Sequence, residues 1–152
     1  MQLYEQLLVI AEQQSLYVCE KSMSRKNKGL YGDQVIWINK DISTYQEKAC
    51  ILSEELGHYF TSSGNILDQS QLSNRKQEYR ARSWGYEQLI PLHKLIEAWH
   101  KGIEGRHAIA DYLEVTEDFL QETIQHYQRK YGLYVTRHNY LIYFEPFQII
   151  SL

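Results

Sequence analysis

The chain has 152 residues, of which 43% are hydrophobic and 23% are charged, and this length suits one hydrophobic core better than two. Its 16 Lys and Arg residues against 19 Asp and Glu residues leave a net charge of -3, which lacks the basic excess of most nucleic-acid-binding domains. The sequence also lacks a run of about 18 apolar residues, the minimum for a membrane-spanning helix.

The N-terminus and the cysteines indicate a cytoplasmic protein. Glu5 and Glu12 lie inside the apolar pattern of the first residues, and no basic region precedes that pattern, so residues 2–14 are predicted to form a helix and not a signal peptide. Cys19 and Cys50 match no zinc-finger or redox spacing, and we expect both to be reduced thiols.

Two strands and a long helix are predicted next. The β-rich runs LYVCE and QVIWIN are separated by a basic, glycine-containing segment, which predicts a hairpin or a long loop between them. Residues 41–63 form a helical pattern with Ser43 or Asp41 as its N-cap and Gly64 as its end. A polar loop is expected over residues 65–72.

Further helices are predicted over the second half of the chain. Helical patterns cover residues 74–90, 91–102, 105–115 and 116–132, and Pro91 suits the first turn of the helix that it opens. The aromatic, alternating tail over 133–152 predicts a terminal hairpin, with Pro146 limiting any strand beyond it.

These elements predict one α+β domain over residues 1–152. We expect it to be mainly helical with a small antiparallel sheet, with a core region over 28–91 and C-terminal helices and a hairpin over 92–152.

The stretch ILSEELGHYF, residues 51–60, resembles a metal-site motif. Glu55 and His58 fit the glutamate and the second histidine of H-E-x-x-H, in which two histidines on one helical face bind zinc and the glutamate acts as a base. Glu54 stands where the first histidine would be. Glu54 and His58 share a helical face because they are four residues apart, but a glutamate–histidine cluster on a solvated face is also common without a metal.

The next helix supplies a candidate third ligand. Glu78 is followed by Ala81 and Gly85 at i+3 and i+7, and this stripe of small residues would let its helix approach the motif helix closely near Gly57. Asp68, in the intervening loop, is the rival ligand. Glu78 could instead form an ordinary ion pair with Arg82 or Lys76.

The order of these segments is similar to that of the ImmA/IrrE family of metallopeptidase-like proteins from phages and integrative elements. The resemblance rests on GLYGDQVIWIN, EKACILSEELGHYF and NRKQEYRARSWGYEQLIP, and covers roughly residues 28–91. It implies a metal held by Glu54, His58 and Glu78, with Glu55 as the general base. The chain departs from the family's H-E-L-G-H at Glu54.

The resemblance also implies a cofactor, a substrate and a role. Zinc is the expected metal, with manganese as the alternative because the donor set is rich in oxygen. The implied activity is cleavage of a phage-type helix-turn-helix repressor, and so control of the exit from lysogeny.

Two other functions fit parts of the sequence. A catalytically silent protein could bind the repressor without cutting it. Residues 107–127 could instead form a DNA-binding helix-turn-helix, although Glu117, Asp118 and Glu122 place acidic groups where a recognition helix would meet phosphates. We therefore expect no direct binding to nucleic acid.

The other histidines are predicted to be ordinary surface residues and not metal ligands. His93, His100, His107 and His126 are scattered over predicted helices. His138 or Tyr140, near the terminal hairpin, could stabilise an oxyanion, but their spacing gives no support for that role.

Overall fold

The computed structural model describes residues 2–24, 26–62 and 71–152, apart from the side chains of residues 71–73. Two compact units follow one another along the chain, Met1–Gly85 and Tyr86–Leu152. The α+β class and the mainly helical content are confirmed, whereas a single domain stays a prediction. No helix within the described ranges is long and apolar enough to cross a membrane.

The first unit combines three helices with a three-stranded sheet. Its elements in chain order are α1 (Leu3–Gln13), β1 (Tyr17–Lys21), β2 (Gly29–Gly32), β3 (Val35–Asn39), α2 (Tyr45–Thr61) and α3 (Gln71–Leu89), whose last turn belongs to the second unit. Apolar side chains of α1, β3 and α2 form the core, including Leu7, Ile36, Ile38, Leu52 and Leu56, each at most 2% exposed.

The sheet of this unit differs from the expected hairpin. β1 and β3 run parallel, and β2 pairs antiparallel with β3 in the order β1-β3-β2. The predicted loop therefore contains a strand, and the hairpin joins β2 to β3. Asp33 and Gln34 link them with φ angles of 51° and 64°, the left-handed geometry of a type I′ turn. Two glycines in the four residues of β2 weakened its strand signal.

The N-cap of the motif helix α2 lies one residue after Ser43 and three residues after Asp41, the two expected caps. Thr44 is its N-cap, and its side chain accepts a hydrogen bond from the Glu47 amide at 3.2 Å. The expected caps, Ser43 and Asp41, were wrong. The pattern Thr44-x-x-Glu47 is a capping-box signature and was available in the sequence. The predicted end at Gly64 lies outside the described residues.

Small residues allow α2 and α3 to approach each other closely. A Cβ atom at Gly57 would overlap the carbonyl oxygen of Ala81 and lie 2.8 Å from its carbonyl carbon. A Cβ atom at Gly85 would lie 2.8 Å from the Ser53 hydroxyl oxygen. The predicted small-residue stripe is thus the face along which the motif helix and the helix of Glu78 pack.

The second unit contains three complete helices and an antiparallel sheet. Its elements are α4 (Leu92–His100), α5 (Arg106–Leu113), α6 (Glu117–Tyr131), β4 (Tyr134–Arg137), β5 (Tyr140–Phe144) and β6 (Phe147–Ser151). The strands pair in the order β4-β5-β6. The buried Tyr127 of α6 donates a hydrogen bond to the Ile90 carbonyl at 2.7 Å, which fixes α6 to the end of α3.

The terminal hairpin is present, but it continues into a third strand. Phe144 pairs with Phe147, so Glu145 and Pro146 form the two-residue connection between β5 and β6. The expectation that Pro146 would limit a strand beyond it was wrong. Because Pro146 lies in the turn, its missing N–H removes no hydrogen bond from the ladder.

His126 is buried, contrary to its predicted surface position. Its side chain is 6% exposed, and its Nε2 lies 2.9 Å from Glu87 Oε2. The other oxygen of Glu87 accepts a hydrogen bond from Lys130 at 2.7 Å. Burial raises the pKa of Glu87, but the hydrogen bonds from Lys130 and His126 outweigh it, and the pKa falls below its usual value.

We predict that Gly57→Ala destabilises the protein, because the new methyl group would force α2 and α3 apart. The free energy of unfolding should fall by about 1–3 kcal/mol or more, measured by urea denaturation. Gly32→Ala is the matched control, since a Cβ atom there meets nothing within 4 Å. Equal stability losses in the two variants would contradict the close packing.

We predict that Glu87→Gln lowers stability at pH 7 and that the gap to the wild type narrows in acid. A carboxylate whose pKa is depressed on folding stabilises the protein above its unfolded pKa, near 4.5, and loses that contribution as the pH falls through the folded pKa. Urea midpoints of both proteins at pH 7 and pH 3 measure the effect. A gap of unchanged size at pH 3 would show that ionisation of Glu87 does not stabilise the fold.

Candidate metal centre

The structure brings the three predicted metal ligands together in the first unit. Glu54 and His58 lie one turn apart on α2, and Glu78 lies on α3. One ligand atom from each of these residues lies within 4.8 Å of the others. The sequence thus placed the cluster correctly, whereas its binding of a metal stays a prediction.

The distances in this cluster suit a small cation. Metal bonds of about 2.0–2.2 Å from oxygen and nitrogen ligands put neighbouring ligand atoms roughly 3.3–3.6 Å apart in a tetrahedral site. His58 Nε2 and Glu78 Oε1 are already 3.3 Å apart. Glu54 lies within 4.8 Å of both, and its rotatable side chain, 34% exposed, can move closer to an ion. The residues present therefore fit a divalent metal ion.

Two cationic or titratable groups lie against the carboxylates. His58 contacts Glu78, and Arg82 Nε donates a hydrogen bond to Glu54 Oε1 at 3.3 Å. Arg82 was considered in the sequence only as a partner of Glu78. Arg82 lies four residues after Glu78 and therefore on the same face of α3. From this spacing, the sequence could have predicted that Arg82 lies beside the cluster.

Glu55, the predicted base, is the most buried acid of the motif. It is 9% exposed, whereas the side chain of Glu78 is 48% exposed. Burial, with the nearby charges of Glu54 and Glu78, raises the pKa of Glu55 to about 8. Three carboxylates so close together repel one another, and a bound cation would relieve that repulsion.

A pocket of about 380 Å³ opens over this cluster. The predicted residues Glu54, Glu55, His58 and Glu78 all line it, and the remaining lining residues were missed: Gly29, Leu30, Tyr31 and Ser62. Most of the missed residues belong to β2, the strand that the sequence did not reveal.

Gly29 explains how β2 reaches the cluster. A Cβ atom at this position would lie 2.7 Å from Ile51 Cγ2 and 3.3 Å from Glu55 Oε1. Only glycine lets the strand pass so close to α2 without a shift of its neighbours. Gly29, which follows directly after the basic loop, was the sequence signal for this close approach.

The other candidate residues lie elsewhere. Asp68, the rival third ligand, is outside the described residues. In the second unit, His107 contacts Glu117, and His100 contacts the Tyr140 hydroxyl. His138 lies in the turn between β4 and β5. The proposed oxyanion roles of His138 and Tyr140 stay predictions.

Comparison with known proteins agrees with the resemblance drawn from the motifs. A model of the peptidase M78 family, described as the IrrE N-terminal-like domain, matches residues 11–125. The match covers well over half of the chain and includes β1–β3, α2 and α3. No curated protein matches the chain.

We predict that Glu78→Ala removes most of the affinity for zinc. Loss of a residue that is hydrogen-bonded to a metal ligand weakens metal affinity by roughly tenfold to a hundredfold. Loss of a ligand itself should weaken the affinity for zinc by more than that. Competition with a chromophoric chelator measures the dissociation constant. Glu47→Ala is the control, because Glu47 lies on α2 outside the cluster and pairs with Lys28 at 3.3 Å. Zinc affinity that is unchanged by Glu78→Ala would exclude Glu78 as a ligand.

Proposed function

Because the chain belongs to the IrrE N-terminal-like peptidase M78 family, we propose that it is a metal-dependent endopeptidase. The observation that carries the proposal is the convergence of Glu54, His58 and Glu78 within 4.8 Å beside the buried Glu55. The donor set combines two carboxylates and one imidazole. This chemistry fits zinc, with manganese as the alternative ion.

Glu54, His58 and Glu78 would hold the ion at the floor of the pocket. The bound metal would supply Lewis acidity to the scissile carbonyl and to the attacking water. Arg82 donates a hydrogen bond to one oxygen of Glu54 and so restrains that carboxylate beside His58 and Glu78. The same contact offsets the extra negative charge that Glu54 adds relative to a histidine.

Glu55 would move the protons of the reaction. One of its oxygens lies beside β2 in the pocket, where it accepts a proton from the attacking water and then donates it to the departing amine. Burial and the neighbouring acids raise its pKa to about 8, and the positive charge of a bound metal would lower that pKa, so that the carboxylate could accept the proton.

Strand β2 offers a surface for the peptide substrate. Within the described sheet it is an edge strand, in the order β1-β3-β2, and Leu30 and Tyr31 line the pocket. An extended peptide can add to such an edge through main-chain hydrogen bonds. The scissile bond would then lie between β2 and the face of α2 that carries Glu55.

We propose a phage or mobile-element repressor with a helix-turn-helix domain as the substrate. The family resemblance supports this choice, and cleavage in the cytoplasm of the host cell would derepress the element. The acidic start of α6 supports the expectation that the chain does not itself bind DNA. Glu117 lies there beside His107 and Arg106, and Asp118 is exposed.

A silent binding protein is the second candidate, and one observation favours it. Arg82 contacts Glu54 and His58 contacts Glu78, so the side chains of the cluster have partners without a metal ion, and the charge of Arg82 balances part of their negative charge. In that case, the pocket would bind the repressor and leave it intact.

We predict that Glu55→Gln abolishes repressor cleavage and leaves metal content nearly unchanged. Removal of a general base lowers the rate by about 10²–10⁴, whereas the predicted metal ligands remain. The measurement is fragment formation from a purified phage-type helix-turn-helix repressor, together with metal analysis. Cleavage at the wild-type rate would exclude Glu55 as the base.

Glu54→His separates the two candidate functions. If the wild type binds one metal ion and cuts the repressor, the peptidase assignment stands. If the wild type binds no metal and the histidine variant binds one ion, Glu54 marks a lost site. Binding of the intact repressor by the wild type would then support the silent role.

A further inference from the structure

A second pocket, of about 250 Å³, lies in the second unit. It is lined by residues from the end of α3, the start of α4, α6 and the turn after β4, and none of them belongs to the metal cluster. The volume is near the lower limit of about 300 Å³ for small-molecule sites. A ligand of this pocket would therefore carry one side-chain-sized group and not an extended chain.

The pocket combines an apolar wall with a cationic rim. Tyr127 and Tyr131 stack with ring centroids 6.0 Å apart and an interplanar angle of 23°. Buried Leu92 adds apolar surface next to them. The exposed side chains of Arg137, His93 and His138 lie at the rim, and Glu87 and Pro91 complete the lining.

Arg137 is held in place before any ligand binds. Its guanidinium carbon lies 5.3 Å from the Tyr131 ring centroid, and its Nη2 donates a hydrogen bond to the Tyr131 hydroxyl at 3.3 Å. Nη1 donates to the Thr136 carbonyl at 2.8 Å. A guanidinium has five N–H donors, so these two contacts leave three donors in a fixed plane.

His138 is fixed by the hairpin turn. His138 and Asn139 have φ angles of 50° and 67°, and Arg137 pairs with Tyr140 across the turn. This type I′ geometry is favoured by glycine, asparagine and aspartate, and histidine is also enriched among non-glycine residues with a positive φ. The turn places a ring with two nitrogen atoms at the rim, where it adds a further hydrogen-bond donor.

Glu87, the acidic residue in the lining, is paired and does not repel a bound anion strongly. Both oxygens of Glu87 are engaged, one by Lys130 at 2.7 Å and the other by His126 at 2.9 Å. The positive charge of Lys130 neutralises the negative charge of Glu87. With Lys130 counted beside Glu87, the net positive charge at the pocket is that of Arg137 when the rim histidines are neutral.

We propose that this pocket binds a small organic carboxylate that carries one aromatic or apolar group. A carboxylate matches the planar donors of Arg137, and a single net charge favours a monoanion over a doubly charged phosphate. The tyrosine rings and Leu92 cover the apolar group. This site is independent of the peptidase assignment, since it shares no residue with the candidate metal centre.

The test is titration of the full chain with N-acetyl-phenylalanine, followed by NMR of the histidine ring signals. Binding should shift the signals of His93 and His138 more than those of His58. N-acetyl-phenylalaninamide, which has the same ring and no charge, should bind at least about tenfold more weakly. Equal affinity of the wild-type protein for the acid and the amide would overturn the proposal.

Two further arms test the chemistry of the site. Arg137→Gln should weaken binding of the acid about tenfold to a hundredfold, whereas Arg129→Gln, on the exposed side of α6, should leave it unchanged. Inorganic phosphate should bind more weakly than the acid. Tighter binding of phosphate, or full affinity in a folded Arg137→Gln variant, would contradict the carboxylate site.

Discussion

The close packing of α2 against α3 is the constraint on which the candidate metal centre depends. Gly57 on α2 meets the main chain of Ala81 on α3, where a side chain of any size would collide. That approach sets the distance from Glu54 and His58 to Glu78, because all three project from these two helices. The small residues are thus part of the site's geometry, although none of them can bind a metal.

The electrostatics of the centre follow from this packing. Helix contact brings the carboxylates of Glu54, Glu55 and Glu78 together, and burial of Glu55 makes their repulsion costly. Arg82 offsets part of that charge, and His58 contacts Glu78. A divalent cation would offset more of the negative charge, and it could bind the ligand atoms of Glu54, His58 and Glu78 together. The arrangement therefore favours a metal, while its ion pairs show how the fold tolerates the cluster without one.

Sequence reasoning succeeded where local spacing determines position. The four-residue spacing of Glu54 and His58 sets a common helical face, and the small stripe after Glu78 identified the face of the partner helix. It failed where the answer depended on a distant partner. Strand β2 forms because it pairs with β3. Pro146 does not interrupt the sheet because it lies in the turn between β5 and β6. His126 can be buried because Glu87, from another helix, contacts its ring.

Zinc K-edge X-ray absorption would measure directly whether Glu54, His58 and Glu78 bind one metal ion. The full chain, loaded with one equivalent of zinc, should show a single imidazole and oxygen ligands at about 2.0–2.2 Å. Sulfur scattering at about 2.3 Å would place the ion on Cys19 or Cys50. That result, or the signal of two or more imidazoles, would contradict the proposed centre.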